Sequence, residues 1–194
     1  MKNFWRWFGH LALWWMAVFL FQRIAFLAFS FRALHDVPWK DILLCNVKAL
    51  PMDLSATGYF LLATSLVALP LLFADVRWPR RAAAVFSLVL LVFSALINAT
   101  DIGLFEAWGA RLDRKAIGYL AFPKEAVAGI GAGWMIALLT LALGQTFLFT
   151  KWFNRIDRQR SFCTGPSSAR IASAVIAPLL CLLAARGGPQ DDPI

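Results

Sequence analysis

The side chains in this sequence that could bind or move something all lie inside apolar stretches or at their edges. Arg23, with Gln22 beside it, interrupts the run from Leu11 to Leu34. A guanidinium in the middle of a lipid-embedded helix costs at least ~2.5 kcal/mol, so it must face protein and find an acceptor. A carboxylate or backbone carbonyl of the same chain would make Arg23 structural; a lipid phosphate held among the helices would make it functional. Asp53 stands in LPMDLSATGY, at the start of the next apolar run. There it suits a helix cap or first turn, where the helix dipole favours an acid, or else a headgroup contact. Asp101, in NATDIG, has the same capping reading. Beyond it, WGARLDRKAIGYLAFPKE sets Trp108, Arg111 and Asp113 among alternating cations, acids and aromatics. That pattern suits an ordinary interfacial helix, or a platform that meets an extracellular domain or a lipid headgroup.

Other chemistry lacks its residues. The sequence has no P-loop, no dinucleotide-binding glycine motif, no H-E-x-x-H, no G-x-S-x-G and no cysteine pair with zinc spacing. Asn98-Ala99-Thr100 matches the N-glycosylation pattern, but three residues at a membrane edge are weak grounds. Gly129, Gly131 and Gly133 form a G-x-G-x-G run within apolar sequence, which points to helix packing.

The elements that must position these residues follow from composition. Of 194 residues, 60% are hydrophobic and 15% charged, against roughly 45–50% and ~25% in soluble domains. The fold class expected is all-α, a polytopic membrane protein of about five transmembrane helices, with residues 1–186 as the membrane domain. The apolar runs fall at about 11–34, 56–74, 82–99, 126–150 and 168–185. Each approaches the ~20 residues needed to cross a bilayer; the fifth is short and uses 167–170 as a snorkelling extension. The opening MKNFWRWFGH reads as an interfacial segment of aromatics and cations. Residues 101–125 are too polar to span. Phe105, Trp108 and Leu112 share one helical face there, which predicts an amphipathic interfacial helix between the third and fourth spans. Residues 187–194 read as a linker.

The net charge of +8 does not point to nucleic acid, because no recognition motif accompanies it. The basic residues lie mostly between apolar runs, where they meet anionic headgroups and set topology. The amino terminus, 75–81 and 151–170 carry ten Lys and Arg in 37 positions; 31–55, 100–125 and 186–194 carry eight in 60. The denser side is expected to be cytoplasmic. An odd number of spans then delivers the carboxy terminus to the periplasmic or extracellular face.

Three segments carry a resemblance. KALPMDLSATGYF, with Asp53 and Tyr59, is similar to the pattern that opens the second helix in the lipoteichoic acid synthase family. TDIGLFEAWGARLDRKAIGYLAFPKEAV resembles that family's outer segment between helices three and four, through Trp108-Gly109, Arg111-Leu112-Asp113, Tyr119-Leu120 and Pro123-Lys124-Glu125. RGGPQDDPI looks like its stretch between helix five and the extracellular domain, with Pro189 where an apolar residue is usual. These enzymes are sulfatase-like members of the alkaline phosphatase superfamily and include phosphoglycerol transferases. The resemblance spans essentially the whole chain. It implies an amino-terminal membrane domain in a bacterial cytoplasmic membrane, with the catalytic domain following Ile194. That domain would use a threonine nucleophile and a divalent metal such as Mn2+, and none of its residues is present here. The partners implied are the bilayer, anionic headgroups and that extracellular domain. Phosphoethanolamine transferases share the plan, so the transferred group stays open. The residues expected to meet a headgroup or the domain are Arg23, Asp53, Trp108, Arg111 and Asp113. The reading from another class is a small complete membrane protein, such as a transporter or flippase subunit or a regulatory partner.

Overall fold

Phe4, Trp7, Phe8, Leu11, Trp14, Trp15 and Val18 recur three and four residues apart, which puts them on one helical face. In the computed structural model, which describes residues 2–31, 37–73, 77–109, 111, 131–157 and 166–186, all seven are buried along helix α1 (Lys2–Phe29). The opening segment is therefore the first turns of a helix, with one aromatic face packed into protein. The helix also starts nine residues before the run expected from hydropathy. The other helices are α2 (Trp39–Lys48), α3 (Leu50–Ala68), α4 (Arg77–Trp108), α5 (Ala132–Asp157) and α6 (Ser167–Ala185). A turn of 3-10 helix at Leu69–Leu72 holds Pro70 just beyond α3, where its missing N–H is least costly.

Among the described residues five stretches are long and apolar enough to cross a membrane: Lys2–Phe29, Trp39–Leu72, Arg81–Trp108, Ala132–Ile156 and Ser167–Ala185. The side-chain distribution agrees with lipid as the solvent. Leu13, Ile24, Val85, Leu143 and Leu183 are more than half exposed, whereas Thr57, Thr64, Ser65, Ser87, Ser94, Asn98, Asp101, Gln145 and Ser173 are buried. In water that inversion would be unstable; in hydrocarbon apolar residues lose nothing by facing out. The protein is a multi-pass, all-helical membrane protein.

The chain divides into two compact units. Unit 1 takes in Met1–Leu20, Val37–Leu90 and Thr150–Ile194. Its α3 and α6 meet through small residues. Ser173, Ala177, Cys181 and Ala185 recur every fourth position on α6 and are buried; α3 turns Thr57, Gly58, Leu61, Thr64, Ser65 and Ala68 inward. At Gly58 the approach leaves no room for a side chain, because a Cβ there would lie 2.5 Å from the Ala185 nitrogen and 2.7 Å from the Cys181 carbonyl oxygen. Ser55 Oγ donates to the Ala185 carbonyl, Trp5 Nε1 donates to Ser173 Oγ at 3.2 Å, and Ser87 Oγ donates to the Ala83 carbonyl. The aromatic face of α1 locks in by edge contacts, Trp14 on Phe153 at 5.2 Å and Trp15 on Phe60 at 4.7 Å between centroids. Unit 2 takes in Phe21–Asp36 and Leu91–Phe149. Ala95, Ala99 and Ile102 of α4 pack with Leu138 and Ala142 of α5, flanked by Phe26, Phe29, Trp134 and Leu141.

Several boundaries differ from the sequence expectation. The third span does not stop at 99: α4 runs on to Trp108, so Phe105 and Trp108 belong to a membrane helix and not to a separate surface helix. The remainder of the expected interfacial helix, 110 and 112–125, lies outside the described residues, as does the linker 187–194. The fourth span starts at Ala132 and reaches Asp157. The Phe153 and Ile156 side chains near its end are buried, which extends the helix past the cationic Lys151. The stretch between the first two expected spans holds a further helix, α2. Among the described residues glycine packing falls elsewhere: nothing there meets a Cβ at Gly131 or Gly133, and the tight crossing is at Gly58; Gly129 is outside the described residues.

Overpacking a close crossing costs about 1–3 kcal/mol, so Gly58→Ala should lower thermal stability in detergent. Gly133→Ala, whose Cβ meets nothing, should be neutral or gain about 0.5–1 kcal/mol from helix propensity. Equal effects of the two substitutions would contradict the crossing.

Candidate functional site

The polar residues of unit 2 form a seam along α4. Ser94, Asn98 and Asp101 fall at i, i+4 and i+7, on one face beside the alanines of the core, and all three are buried. In hydrocarbon a polar group without a partner costs several kcal/mol, so each position asks where its hydrogen bonds go.

Ser94 is met by Gln22 of α1. The glutamine Nε2 donates to Ser94 Oγ at 2.7 Å, and the hydroxyl oxygen stands 3.1 Å from Gln22 Oε1. Asp101 is met by Arg111, ten residues on, whose Nε and Nη2 donate to the same carboxylate oxygen at 3.1 and 2.8 Å. The carboxylate is 12% exposed and the guanidinium 71%. Had α4 continued, ten residues at 1.5 Å each would carry Arg111 about 15 Å past Asp101. The chain instead leaves the helix at Gly109, whose φ is +66° and whose N–H bonds the Phe105 carbonyl at 2.9 Å. That left-handed residue is a helix stop suited to glycine, and it turns Arg111 back onto Asp101. The guanidinium carbon also lies 4.9 Å from the Phe26 ring centroid, and Phe26 packs on Phe105 at 5.2 Å. An ion pair thus closes the end of α4, seated on an aromatic floor.

Gln145 is different. It is 1% exposed, and among the described residues neither its amide nitrogen nor its amide oxygen has a hydrogen-bond partner. It lies one turn beyond Ala142 on the inward face of α5. Asn98 likewise has a buried Nδ2 without a partner among the described residues. Because the Asn98 side chain is buried within α4, the Asn-Ala-Thr pattern is not an acceptor for a glycan.

Of the residues singled out from sequence, Trp108 and Arg111 fall at the end of α4. Arg23 is half-buried and lies six residues before the end of α1, not at its middle. Asp53 belongs to unit 1, in the first turn of α3; the N-cap itself is Ala49 and makes no side-chain bond. Asp113 lies outside the described residues. The partner that sequence reasoning did not supply for Arg111 is Asp101, read there as a cap. The signal available was Gly109 between them. Among the described residues no three His, Cys, Asp or Glu side chains form a group that could hold a metal ion.

Forcing a side chain into left-handed backbone costs roughly 1–2 kcal/mol, so Gly109→Ala should destabilise the protein by that amount and loosen Arg111, seen as faster proteolysis just beyond α4. Gln145→Met keeps length and removes two stranded polar atoms. It should raise stability by about 1–3 kcal/mol, measured as a higher unfolding midpoint in detergent; a loss would mean that the amide holds a bound water or solute.

Comparison with protein-family models, with curated proteins and with solved structures finds no match.

Proposed function

We propose that this chain is the membrane domain of a cell-envelope transferase that moves phosphoglycerol, or phosphoethanolamine, from a lipid to an envelope glycan or lipid acceptor. Its task is anchoring and presentation: a tethered catalytic domain works at a high effective concentration of lipid-linked substrate. The observation that supports this most is Arg111. It lies within the segment that carries the family resemblance, at the end of a membrane helix, with its cation exposed and its position fixed by a buried acid. Such an arrangement suits a phosphate at headgroup depth. Arg23, Asp53, Trp108 and Asp113 are further candidates for headgroup or domain contact. The threonine nucleophile and the Mn2+ ion belong to the proposed catalytic domain, and the 194-residue chain itself turns nothing over.

The second reading, a transporter or flippase subunit, draws on the buried Gln145 amide and Asn98 Nδ2, which have no partner among the described residues and suit a polar solute inside unit 2. The sign of the Gln145→Met effect bears on it directly.

The membrane-domain reading requires the Arg111 end of α4 and the carboxy terminus to face the periplasm or exterior. A reporter fused behind Ile194 should be active only outside the cytosol, and the genomic reading frame should continue into a few hundred soluble residues. A cytosolic reporter, or transferase turnover by the purified chain alone, would overturn it.

A further inference from the structure

Beside the Arg111 corner runs an apolar groove of about 380 Å3, lined by Ala28, Phe29 and Phe31 at the end of α1 and by Trp134 at the start of α5. Its volume is within the range of ligand clefts, ~300–1,000 Å3. The groove and the cation are joined through α1. Phe29, which packs on Trp134 at 5.6 Å, lies one helical turn from Phe26, the ring beneath the Arg111 guanidinium. Arginine carries five N–H donors; two go to Asp101, and three have no acceptor among the described residues. One end of the site is therefore an outward-facing donor fork that fits a phosphate, and the other is a slot that a hydrocarbon chain fills. Free phosphate would leave the slot empty, and a neutral hydrocarbon would leave the fork without an acceptor.

We propose that this corner of unit 2 holds one anionic glycerophospholipid, its phosphate on the outer N–H groups of Arg111 and one acyl chain in the groove of Ala28, Phe29, Phe31 and Trp134. The inference deepens the headgroup-handling reading and rests on it. The lipid is a resident that positions the outer corner and is not itself transformed. The competing account is that Arg111 serves only as counter-ion to Asp101.

The test is native mass spectrometry of the full chain in detergent, titrated with phosphatidic acid or with phosphatidylcholine. The native chain should keep one phosphatidic acid at about tenfold lower lipid concentration than phosphatidylcholine. The double variant Asp101→Asn/Arg111→Gln removes the fork without stranding a buried carboxylate. It should lose that preference while its unfolding midpoint stays within a few degrees. Ala28→Trp fills the groove from an exposed position. It should weaken phosphatidic acid about tenfold with the ion pair intact, which covers the case in which the double variant does not fold. Equal retention of the two lipids by the native chain, native-like retention by either folded variant, or displacement of the lipid by millimolar inorganic phosphate would overturn the proposal. Loss of the lipid site with the Ile194 reporter outside sinks this inference alone; a cytosolic reporter with the lipid retained sinks the transferase reading and leaves the site standing.

Discussion

Everything in this structure follows from one constraint: hydrocarbon offers no hydrogen bonds, so a polar group in a membrane-crossing helix must find its partner within the protein. The backbone meets that demand by being helical. The side chains meet it by turning inward, which is why serine, threonine, asparagine, glutamine and aspartate are buried while leucine and valine face out. Since lipid tails are as apolar as leucine, burial of apolar area no longer holds helices together. Contact quality has to do that instead. In unit 1 it takes two forms. The small residues of α3 and α6 let backbones approach until Gly58 leaves no space for a methyl group. The aromatic face of α1 uses edge-on rings, as where Trp15 meets Phe60 at 4.7 Å and Trp14 meets Phe153 at 5.2 Å.

The same constraint explains which parts of the fold were legible in the sequence. The number of spans and the all-helical class were, because composition and run length report solvent preference directly. The last helix was placed to within a residue, since Gly165-Pro166 marks its start and the apolar run its body. The first was displaced, because hydropathy weighs what residues are and not where they point. Lys2, Arg6 and the tryptophans looked interfacial by type, whereas their neighbours' spacing of three and four residues already described a buried helical face. Helix α2 was missed although Pro38 precedes it, Asp41 stands in its first turn and Lys48 in its last. Ten residues with no buried side chain give a pattern too short to stand out against a loop.

The candidate site was legible in its residue types and not in its pairings. Arg111 stands out in the sequence as a cation beside an apolar run, but its pairing with an acid inside the preceding helix does not. Asp101 does not end α4. An acid can lie two turns inside a helix terminus if a cation returns to it, and the return here depends on a single glycine in a conformation that other residues resist. Sequence separation alone would have put Asp101 and Arg111 out of reach of each other, so only the backbone at Gly109 could reveal the pair.

The pairing also fixes what Arg111 can do. A buried carboxylate needs its counter-ion, because leaving it alone in low dielectric costs more than the pair gains, and that need holds the guanidinium in place. The cation remains largely exposed nonetheless, since Asp101 engages one edge of the fork and Phe26 one face. A lysine would satisfy the acid as a point charge but would present no planar second edge. The arginine therefore does two things at once, neutralising the acid that α4 carries and keeping ordered donors on its exposed edge. The second follows from the first, because an arginine without Asp101 beneath it would spread over many rotamers and lose the preorganisation that makes a weak surface charge into a site.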